Sequence, residues 1–391
     1  MKKSIVIIGS AYPLRGGGIS TFNELLATKL QEAGHKVKII TFSLQYPSFL
    51  FPGKSQYATE PRAEHLTIEV SLNSINPISW YNVGKQVQFE APDLVIFRYW
   101  TPFIAPCLGT LGRLIHQNKK TKIVTIADNI IPHEKNIVDK PLTSYFLKCS
   151  DGFVTMSRSV LEDLQKFNIR KAAVYNPHPM YENFGDEMSK QDARTKLKLD
   201  ASGKYLLFFG FIRKYKGLDI LLQAFADKRI QDAGIKLIIA GEYYDKQDEY
   251  EAIIKENALQ NAVIQVNDFI PDSEVSAYFC AADMVVQTYK TATQSGVTQI
   301  AYYYNKPMLV TNVGGLAELV PDQKVGYVTT TSITEIADAI LELFRRSQYI
   351  ENFNKKHLYL LIREMTDCDT PYLTRVINIL KEDFKEKYLK L

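Results

Sequence analysis

The stretch that decides the fold is FFGFIRKYKGLDILL, from Phe208 to Leu222. A short apolar run ends at Gly210, and an apolar helical pattern begins at Lys216-Gly217. Strand, loop and helix in this order are typical of parallel sheets that are covered by helices on both faces. Ligands of such sheets bind beyond the carboxyl ends of the strands, so the cations Arg213 and Lys216 indicate an anion-binding loop.

The same alternation of strand-like runs and helical patterns covers most of the 391 residues and is interrupted once. We predict a first domain over residues 1–176, a linker over 177–204, a second domain over 205–332 and helices over 333–391. Both domains are expected to be doubly wound α/β units that enclose a cleft. The predicted strands are Ser4–Gly9, Lys36–Thr41, Asp93–Arg98, Lys122–Ala127, Gly152–Met156, Ala172–Tyr175, Tyr205–Phe209, Lys236–Ala240, Ala262–Phe269, Met284–Gln287, Met308–Thr311 and Gly326–Thr329.

Composition excludes several classes of protein. A formal net charge of +4 is small for this length and does not indicate nucleic-acid binding. The four cysteines form no C-x-x-C pair, which argues against a zinc site and a disulfide framework and favours a reducing cytoplasm. No apolar run reaches the roughly 18 residues of a membrane-spanning helix.

Two loops could bind anions through backbone N–H groups. Gly16, Gly17 and Gly18 follow the first strand, although they match neither G-x-G-x-x-G nor a Walker motif. The segment 294–296 precedes a helical pattern, whose first N–H groups could bind phosphate. A tight glycine turn and ordinary helix capping by Thr293 or Ser295 are the respective alternatives.

Two further groups of side chains could bind a polar ligand. An arginine can donate bidentate hydrogen bonds to two phosphate oxygens, and a lysine supplies a point charge, so Arg213 and Lys216 suit a diphosphate. The alternative is that both residues lie on a solvated loop without a ligand. Asp128 and His133 follow a predicted strand, where they could orient a sugar hydroxyl or assist proton transfer. A helix cap or a surface pair is the alternative for the second group.

The run RYWTPFIAPCLGTLGRLIHQNKKTK, residues 98–122, combines apolar side chains with cations. Aromatic and aliphatic residues stand beside Arg113, Lys119, Lys120 and Lys122, as they do in proteins that bind membrane surfaces. This predicts a peripheral membrane contact. The alternative is a strand end, a buried helix and a basic loop.

Four motifs in order resemble the family-4 retaining glycosyltransferases, whose GT-B fold consists of two facing Rossmann-like domains. They are PLRGGGISTFNELLATKLQEAGHKV, FFGFIRKYKGLDILLQAF, FIPDSEVSAYFCAADMVVQTY and NKPMLVTNVGGLAELV. The resemblance covers nearly the whole chain. It implies an α/β protein of the GT-B class with a C-terminal helical segment.

The resemblance also implies roles for particular residues. The donor diphosphate would be held by Arg213, Lys216, Gly296 and Val297, the base by Phe269 and Ile270, and the sugar and acceptor side would be lined by Gly16, Gly17 and Gly18. Arg213 is a displaced candidate, because the family arginine directly follows the glycine, where this chain has Phe211.

The chain departs from the family pattern at two places. Asp128 stands where most members have a histidine, which leaves Asp128 and His133 as catalytic candidates. The two family glutamates fall on Ala292 and Ile300. The neighbours that could bind the ribose or the sugar instead are Gln294, Thr298 and Gln299.

The implied function is transfer of a sugar, with retained configuration, from a nucleotide-sugar donor to a glycan or lipid-linked acceptor. Capsule or lipopolysaccharide synthesis at the bacterial cell surface is the implied setting, in the cytoplasm or at the inner face of the membrane. We expect no metal and no cofactor beyond the nucleotide-sugar co-substrate. A nucleotide-sugar epimerase and a non-catalytic partner of another transferase remain alternatives, and the donor sugar, base and acceptor stay open.

Overall fold

The computed structural model describes residues 2–51, 53–58, 65–132, 136–167, 169–181 and 183–350. Within them lie two all-parallel sheets, one of seven strands and one of six, each with helices on its faces. This confirms the predicted α/β class with two doubly wound domains. The division into residue ranges remains a prediction.

The first sheet has the strand order β3-β2-β1-β4-β5-β6-β7. Its strands are β1 (Ser4–Ile8), β2 (Lys36–Leu44), β3 (Ile68–Asn73), β4 (Leu94–Tyr99), β5 (Lys122–Ala127), β6 (Gly152–Thr155) and β7 (Ala172–Tyr175). Its helices are α1 (Gly18–Glu32), α2 (Pro77–Glu90), α3 (Ala105–His116), α4 (Asp139–Leu147) and α5 (Arg158–Gln165). Short 3-10 helices cover Ser48–Leu50 and Pro102–Ile104.

The second sheet follows the connecting helix α6 (Lys190–Lys196) and has the order β10-β9-β8-β11-β12-β13. Its strands are β8 (Lys204–Phe209), β9 (Ile235–Ala240), β10 (Val263–Val266), β11 (Met284–Gln287), β12 (Met308–Thr311) and β13 (Gly326–Thr329). Its helices are α7 (Leu218–Phe225), α8 (Lys228–Asp232), α9 (Gln247–Glu256), α10 (Asp272–Ala281), α11 (Gly296–Tyr303) and α12 (Ile333–Ile350). Short 3-10 helices cover Lys214–Lys216 and Ala317–Leu319.

Each predicted strand has a counterpart, and β3 is an additional one. This strand lies at the edge of its sheet and only Leu72 in it is fully buried. A half-exposed edge strand needs no apolar run, so the segment IEVSLN does not show the pattern by which the other strands are predicted. At the other end of the chain, α12 covers the start of the predicted helical segment, and residues 351–391 lie outside the described part.

The run 98–122 does not offer the surface that its composition predicted. Helix α3 buries Leu108, Leu111 and Ile115 completely. The Arg113 guanidinium lies over the Tyr145 ring, 3.7 Å from its centroid. The apolar half of the run is therefore mostly core, as the alternative interpretation held, and the exposed residues of the run lie in the segment 117–122.

The connecting segment packs against the second domain. The Arg194 side chain, 4% exposed, donates to both carboxylate oxygens of Asp283 at 3.1 and 3.0 Å. The Tyr304 hydroxyl donates to the carbonyl of Phe184 at 2.9 Å. One apolar cluster continues from the first domain through Tyr181 and Phe184 into the second. These contacts fix the segment that joins the domains.

Replacing Phe279 by alanine tests the packing of the second domain. The ring is fully buried and lies edge-on to Phe209, with 5.0 Å between centroids. We expect Phe279→Ala to lower the free energy of unfolding by about 3–5 kcal/mol, because a buried aromatic ring leaves a cavity. Phe89→Ala is the control: its ring is 93% exposed, so we expect a change within about 0.5 kcal/mol. Urea denaturation of both variants measures this, and equal stabilities would contradict it.

Candidate active site

The site lies where the topology reverses in both sheets. In the first sheet this point is between β1 and β4, and in the second between β8 and β11. Loops that follow strands of the two sheets meet there and enclose a cavity. The lining residues are Gly17, Gly18, Tyr181, Phe184, Phe209, Gly210, Phe211, Tyr215, Lys216, Gly241, Glu242, Phe269, Ile270, Asp272, Val275, Tyr289, Gln294, Ser295, Gly296, Val297 and Ile300.

Lys216 is the buried cation of this cavity. It ends a 3-10 helix, and Gly217, with φ of 67°, turns the chain into α7. A side chain on Gly217 would collide with the Thr288 carbonyl, so the turn requires glycine. Lys216 is only 8% exposed, and among the described residues no carboxylate pairs with its ammonium. Burial, and secondarily the charge of Arg213, lower its pKa from 10.5 to about 7.

The amino-terminal end of α11 lies beside this lysine. A Cβ on Gly210 would stand 3.2 Å from the Lys216 ammonium and 3.9 Å from the Val297 side chain. No side chain caps α11, because Ser295 bonds instead with the Tyr289 hydroxyl at 3.3 Å. The helix end therefore presents N–H groups and its positive dipole end next to a lysine. This arrangement can bind a diphosphate, with Gly210 leaving the space for it.

Arg213 is not part of the cavity wall. It is exposed, and its guanidinium lies 4.9 Å from the centroid of the Tyr244 ring. The structure thus brings Lys216, Gly296 and Val297 together, while Arg213 stands at the outer rim.

The far end of the cavity is aromatic and carries an ion pair between the domains. The rings of Phe211 and Phe269, the predicted base-binding position, are stacked with 6.0 Å between centroids. Arg15, from the loop after β1, lies over both rings, 5.2 and 4.7 Å from their centroids. It forms a salt bridge with Glu242 and donates to the Tyr244 hydroxyl at 2.6 Å. Flat rings beside a buried polar pair suit a nucleobase, which needs stacking and hydrogen bonds.

The glycine loop closes over the second domain. Gly17 and Gly18 line the cavity, and a Cβ on Gly16 would stand 2.6 Å from a carboxylate oxygen of Asp272. The Tyr181 hydroxyl donates to the Gly18 carbonyl at 2.7 Å. The glycines are therefore needed for close approach between the domains, in addition to any contact with a ligand.

Asp128 joins a buried polar group that also spans the cleft. Arg98 donates two hydrogen bonds of 2.6 Å to its carboxylate, and the two residues are 1% and 7% exposed. Gln294, from the second domain, donates a third of 2.9 Å. Beside it, Thr293 donates to Asn129 at 2.6 Å, so the predicted capping by Thr293 is replaced by a contact between domains.

Two atoms of this polar group are buried without a partner among the described residues: Arg98 Nη1 and Gln294 Oε1. One is a donor and the other an acceptor. A hydroxyl group can satisfy either kind of atom, because it donates and accepts hydrogen bonds. Of this polar group, Gln294 lines the cavity, whereas Arg98 and Asp128 lie behind it.

Two of the remaining predicted residues, Thr298 and Gln299, are not part of the cavity lining. Both are buried behind it, and Ile300 lines the cavity at the position of the second family glutamate. Thr298 is hydrogen-bonded with Gln287 at 3.0 Å. His133 lies outside the described residues. Among the residues described, no group of three or more His, Cys, Asp or Glu side chains is arranged to hold a metal ion.

Four residues of the site were missed in the sequence: Arg15, Arg98, Tyr181 and Glu242. Arg98 had a signal in the sequence, because it lies within the apolar run LVIFRY, and a charged residue in a buried strand is rarely without a partner. Arg15 directly precedes the glycines. Tyr181 lies in the predicted linker, whose sequence shows no helix or strand periodicity, so only the folded chain shows that it lines the cavity.

Two Rossmann-like domains with parallel sheets of seven and six strands, joined across a cleft, define the GT-B class of fold. Residues 16–177 match the family described as "Glycosyltransferase Family 4", and residues 203–346 match "Glycosyl transferases group 1". The chain is therefore a glycosyltransferase of the family-4 type with the GT-B fold.

Individual relatives are distant. A D-inositol 3-phosphate glycosyltransferase of Corynebacterium urealyticum is 25% identical over 53% of this chain, and the match spans only 50% of that relative. An alpha-monoglucosyldiacylglycerol synthase of Streptococcus pneumoniae is 24% identical over 83% of this chain and 74% of its own. Anabaena Alr3699/HepE, in complex with UDP, has a TM-score of 0.70 at 16% identity and covers 98% of this chain and all of its own. The last likeness shows the fold.

The low pKa of Lys216 makes anion binding dependent on pH. The ligand-free lysine is about half protonated at pH 7 and becomes largely neutral as the pH rises above that value, whereas a bound diphosphate favours the ammonium and raises the pKa. Binding should take up a proton, and affinity should fall as the pH rises above about 7. Calorimetry with UDP-glucose in buffers of different ionisation enthalpy measures the proton.

The control for this prediction is Lys214→Ala, two residues away, where the lysine is exposed and pairs with Glu249 at 3.3 Å. It should retain both proton uptake and affinity. Lys216→Met should lose the uptake and bind at least tenfold more weakly, since a charge-assisted contact is worth about 1.5–3 kcal/mol. Proton uptake that persists in Lys216→Met would refute the assignment.

Proposed function

We propose that this protein transfers a sugar from a nucleotide-sugar donor to a glycan or lipid-linked acceptor and retains the anomeric configuration. The observation that carries the proposal is the unpaired Lys216 ammonium beside the amino-terminal end of α11. A buried charge without a counter-ion is unfavourable, and a donor diphosphate would neutralise it.

Departure of the nucleoside diphosphate is the step that these groups would assist. Negative charge grows on the leaving phosphate as the glycosidic bond breaks. Lys216 and the helix end are held rigidly around that position, so they stabilise the transition state more than the bound donor. In this proposal the two groups serve as the electrostatic catalyst, and activity is independent of added divalent metal.

The donor sugar would lie next to Asp128 and Gln294. Both oxygens of Asp128 accept hydrogen bonds from Arg98, which orients the carboxylate as a hydrogen-bond acceptor. Gln294 would present its free Oε1 to a second hydroxyl. The pair would take over the sugar contact that the family makes through a glutamate, which is Ala292 here.

The activities and ligands for which similar proteins are named support the choice of substrates. Alr3699/HepE is described in complexes with UDP, with UDP and glucose, and with UDP-glucose. The synthase of Streptococcus pneumoniae is named for a glucosylated diacylglycerol. A lipopolysaccharide N-acetylglucosaminetransferase of Salmonella typhimurium also matches 35% of this chain. We propose assembly of a bacterial surface glycan or glycolipid as the setting.

Transfer is tested with a panel of nucleotide sugars and sugar or glycolipid acceptors. We expect release of nucleoside diphosphate that depends on the acceptor, is unaffected by EDTA, and yields a product with the donor's anomeric configuration by NMR. Isomerised sugar without acceptor would indicate the epimerase alternative. Donor binding without any turnover would indicate a non-catalytic partner.

Substitution of Gln294 separates the sugar contact from the diphosphate contact. We expect Gln294→Ala to weaken nucleotide-sugar binding by about 1 kcal/mol, the value of one neutral hydrogen bond, and to leave nucleoside diphosphate binding unchanged. Gln294→Glu should weaken sugar binding further, because two carboxylates would meet at Asp128. Asp128→Asn combined with Gln294→Glu should restore part of the loss. Equal weakening of both ligands by Gln294→Ala would show that the residue does not contact the sugar.

A further inference from the structure

Helix α2 exposes a row of apolar side chains on the outer face of the first domain. Ile78, Tyr81 and Phe89 are 70%, 54% and 93% exposed, and Ile75 just before the helix is 48% exposed. Positions 78, 81, 85 and 89 follow the spacing of one helical face. The opposite face of α2, with Val83 and Val87, is buried in the core. The exposed row is thus a second apolar stripe on a helix that is already packed.

Cations continue this stripe at its carboxyl end. Lys85 lies between Tyr81 and Phe89, with its ammonium 5.9 Å from the Tyr81 ring centroid. It donates to Gln117 at 3.2 Å, which ties the loop after α3 to the stripe. Lys119 and Lys120 follow in that loop and are exposed, and neither has an ion-pair partner in the described part of the chain.

The nearest acidic residue on α2 is already neutralised. Glu90 accepts from Lys38 at 2.7 Å and from Gln86 at 3.1 Å. The surface made by Ile75, Ile78, Tyr81, Lys85, Phe89 and the loop 117–122, here called the α2 surface, therefore combines apolar side chains with unpaired positive charge.

We propose that the α2 surface binds the face of an anionic lipid bilayer. A helix stripe with exposed aromatic and aliphatic side chains inserts at the level of the headgroups, while flanking lysines attract anionic lipids. The lysine stems can lie along the acyl boundary with the ammonium groups in water. The basic loop of the run 98–122 thus contributes to this surface, whereas its apolar partners come from α2 and not from the buried α3.

A second copy of the chain is a poorer occupant. A two-fold contact would place the same patch on both sides, so the charges of Lys85, Lys119 and Lys120 from both copies would enter one contact in which the patch supplies no carboxylate. Like charges at a desolvated contact are unfavourable. A row of four side chains is also narrow compared with the roughly 800 Å² that each partner buries in a stable interface.

Only the first turn of α2 lies on the cleft side of the domain. Helix α2 follows β3, so it begins at the carboxyl edge of the first sheet, whereas Phe89 and the loop 117–122 lie towards the opposite edge. In the described part of the chain no helix has the length and apolar composition needed to cross a bilayer. A contact through α2 would bring the first domain to the lipid headgroups, where a lipid-linked sugar acceptor is found.

Vesicle sedimentation of the full chain tests the proposal. We expect binding to phosphatidylcholine vesicles that contain phosphatidylglycerol, weak binding to phosphatidylcholine alone, and loss of binding as salt is raised. Ile78→Ser with Phe89→Ser, and separately Lys119→Glu with Lys120→Glu, should each weaken binding by roughly tenfold or more. Val174→Ser is the matched control, because Val174 is 58% exposed on the far edge strand and should leave binding unchanged.

A Phe89→Trp variant reports insertion directly. Its fluorescence should shift to the blue on anionic vesicles and be quenched by brominated acyl chains. Absence of sedimentation at low salt, or binding that is indifferent to both the apolar and the charged variants, would overturn the proposal. A dimer by light scattering that Phe89→Ser dissociates would assign the surface to a second copy instead. UDP-glucose binding in solution should be unaffected by these variants, so its loss would bear on the proposed function and not on the α2 surface.

Discussion

The buried amino group of Lys216 is the constraint around which the rest of the site is arranged. Its charge is withdrawn from water without a carboxylate beside it, and its pKa falls to about 7 as a result. Such a group is tolerated because the surrounding structure holds it in place: Gly217 makes the turn, Gly210 leaves space, and α11 directs its uncapped end at the same point. Together they form a preorganised site for an anion, at some expense of stability.

The contacts between the domains follow from the same topology. Parallel strands place their carboxyl ends at one edge, so the loops after β1, β5, β8, β9 and β11 come together once the two edges face each other. Arg15 with Glu242, and Asp128 with Gln294, are polar pairs formed between these loops. A ligand in the cavity would contact members of both domains, so ligand binding and closure of the cleft are energetically linked.

Charge distribution separates two surfaces of the chain. In the cleft, cations are buried and held by rings and helix ends, which suits a compact, strongly charged ligand. On α2, cations are exposed and lie beside apolar side chains, which suits the surface of a lipid bilayer. The net charge of +4 does not reveal either cluster of cations, because 43 acidic residues balance most of the 47 basic ones.

The sequence by itself determined the α/β class, twelve of the thirteen strands in the described part of the chain and the position of Lys216 in a strand-to-helix loop, because each depends on local periodicity and on glycines at chain reversals. Only the tertiary structure decided that α3 is buried while α2 is exposed, since both helices carry apolar side chains on more than one face. It also decided that Arg213 lies at the rim, that Ile300 and not Gln299 faces the cavity, and that Arg98 orients Asp128. These outcomes depend on which loops from distant parts of the chain meet across the cleft, and no local pattern encodes such a meeting.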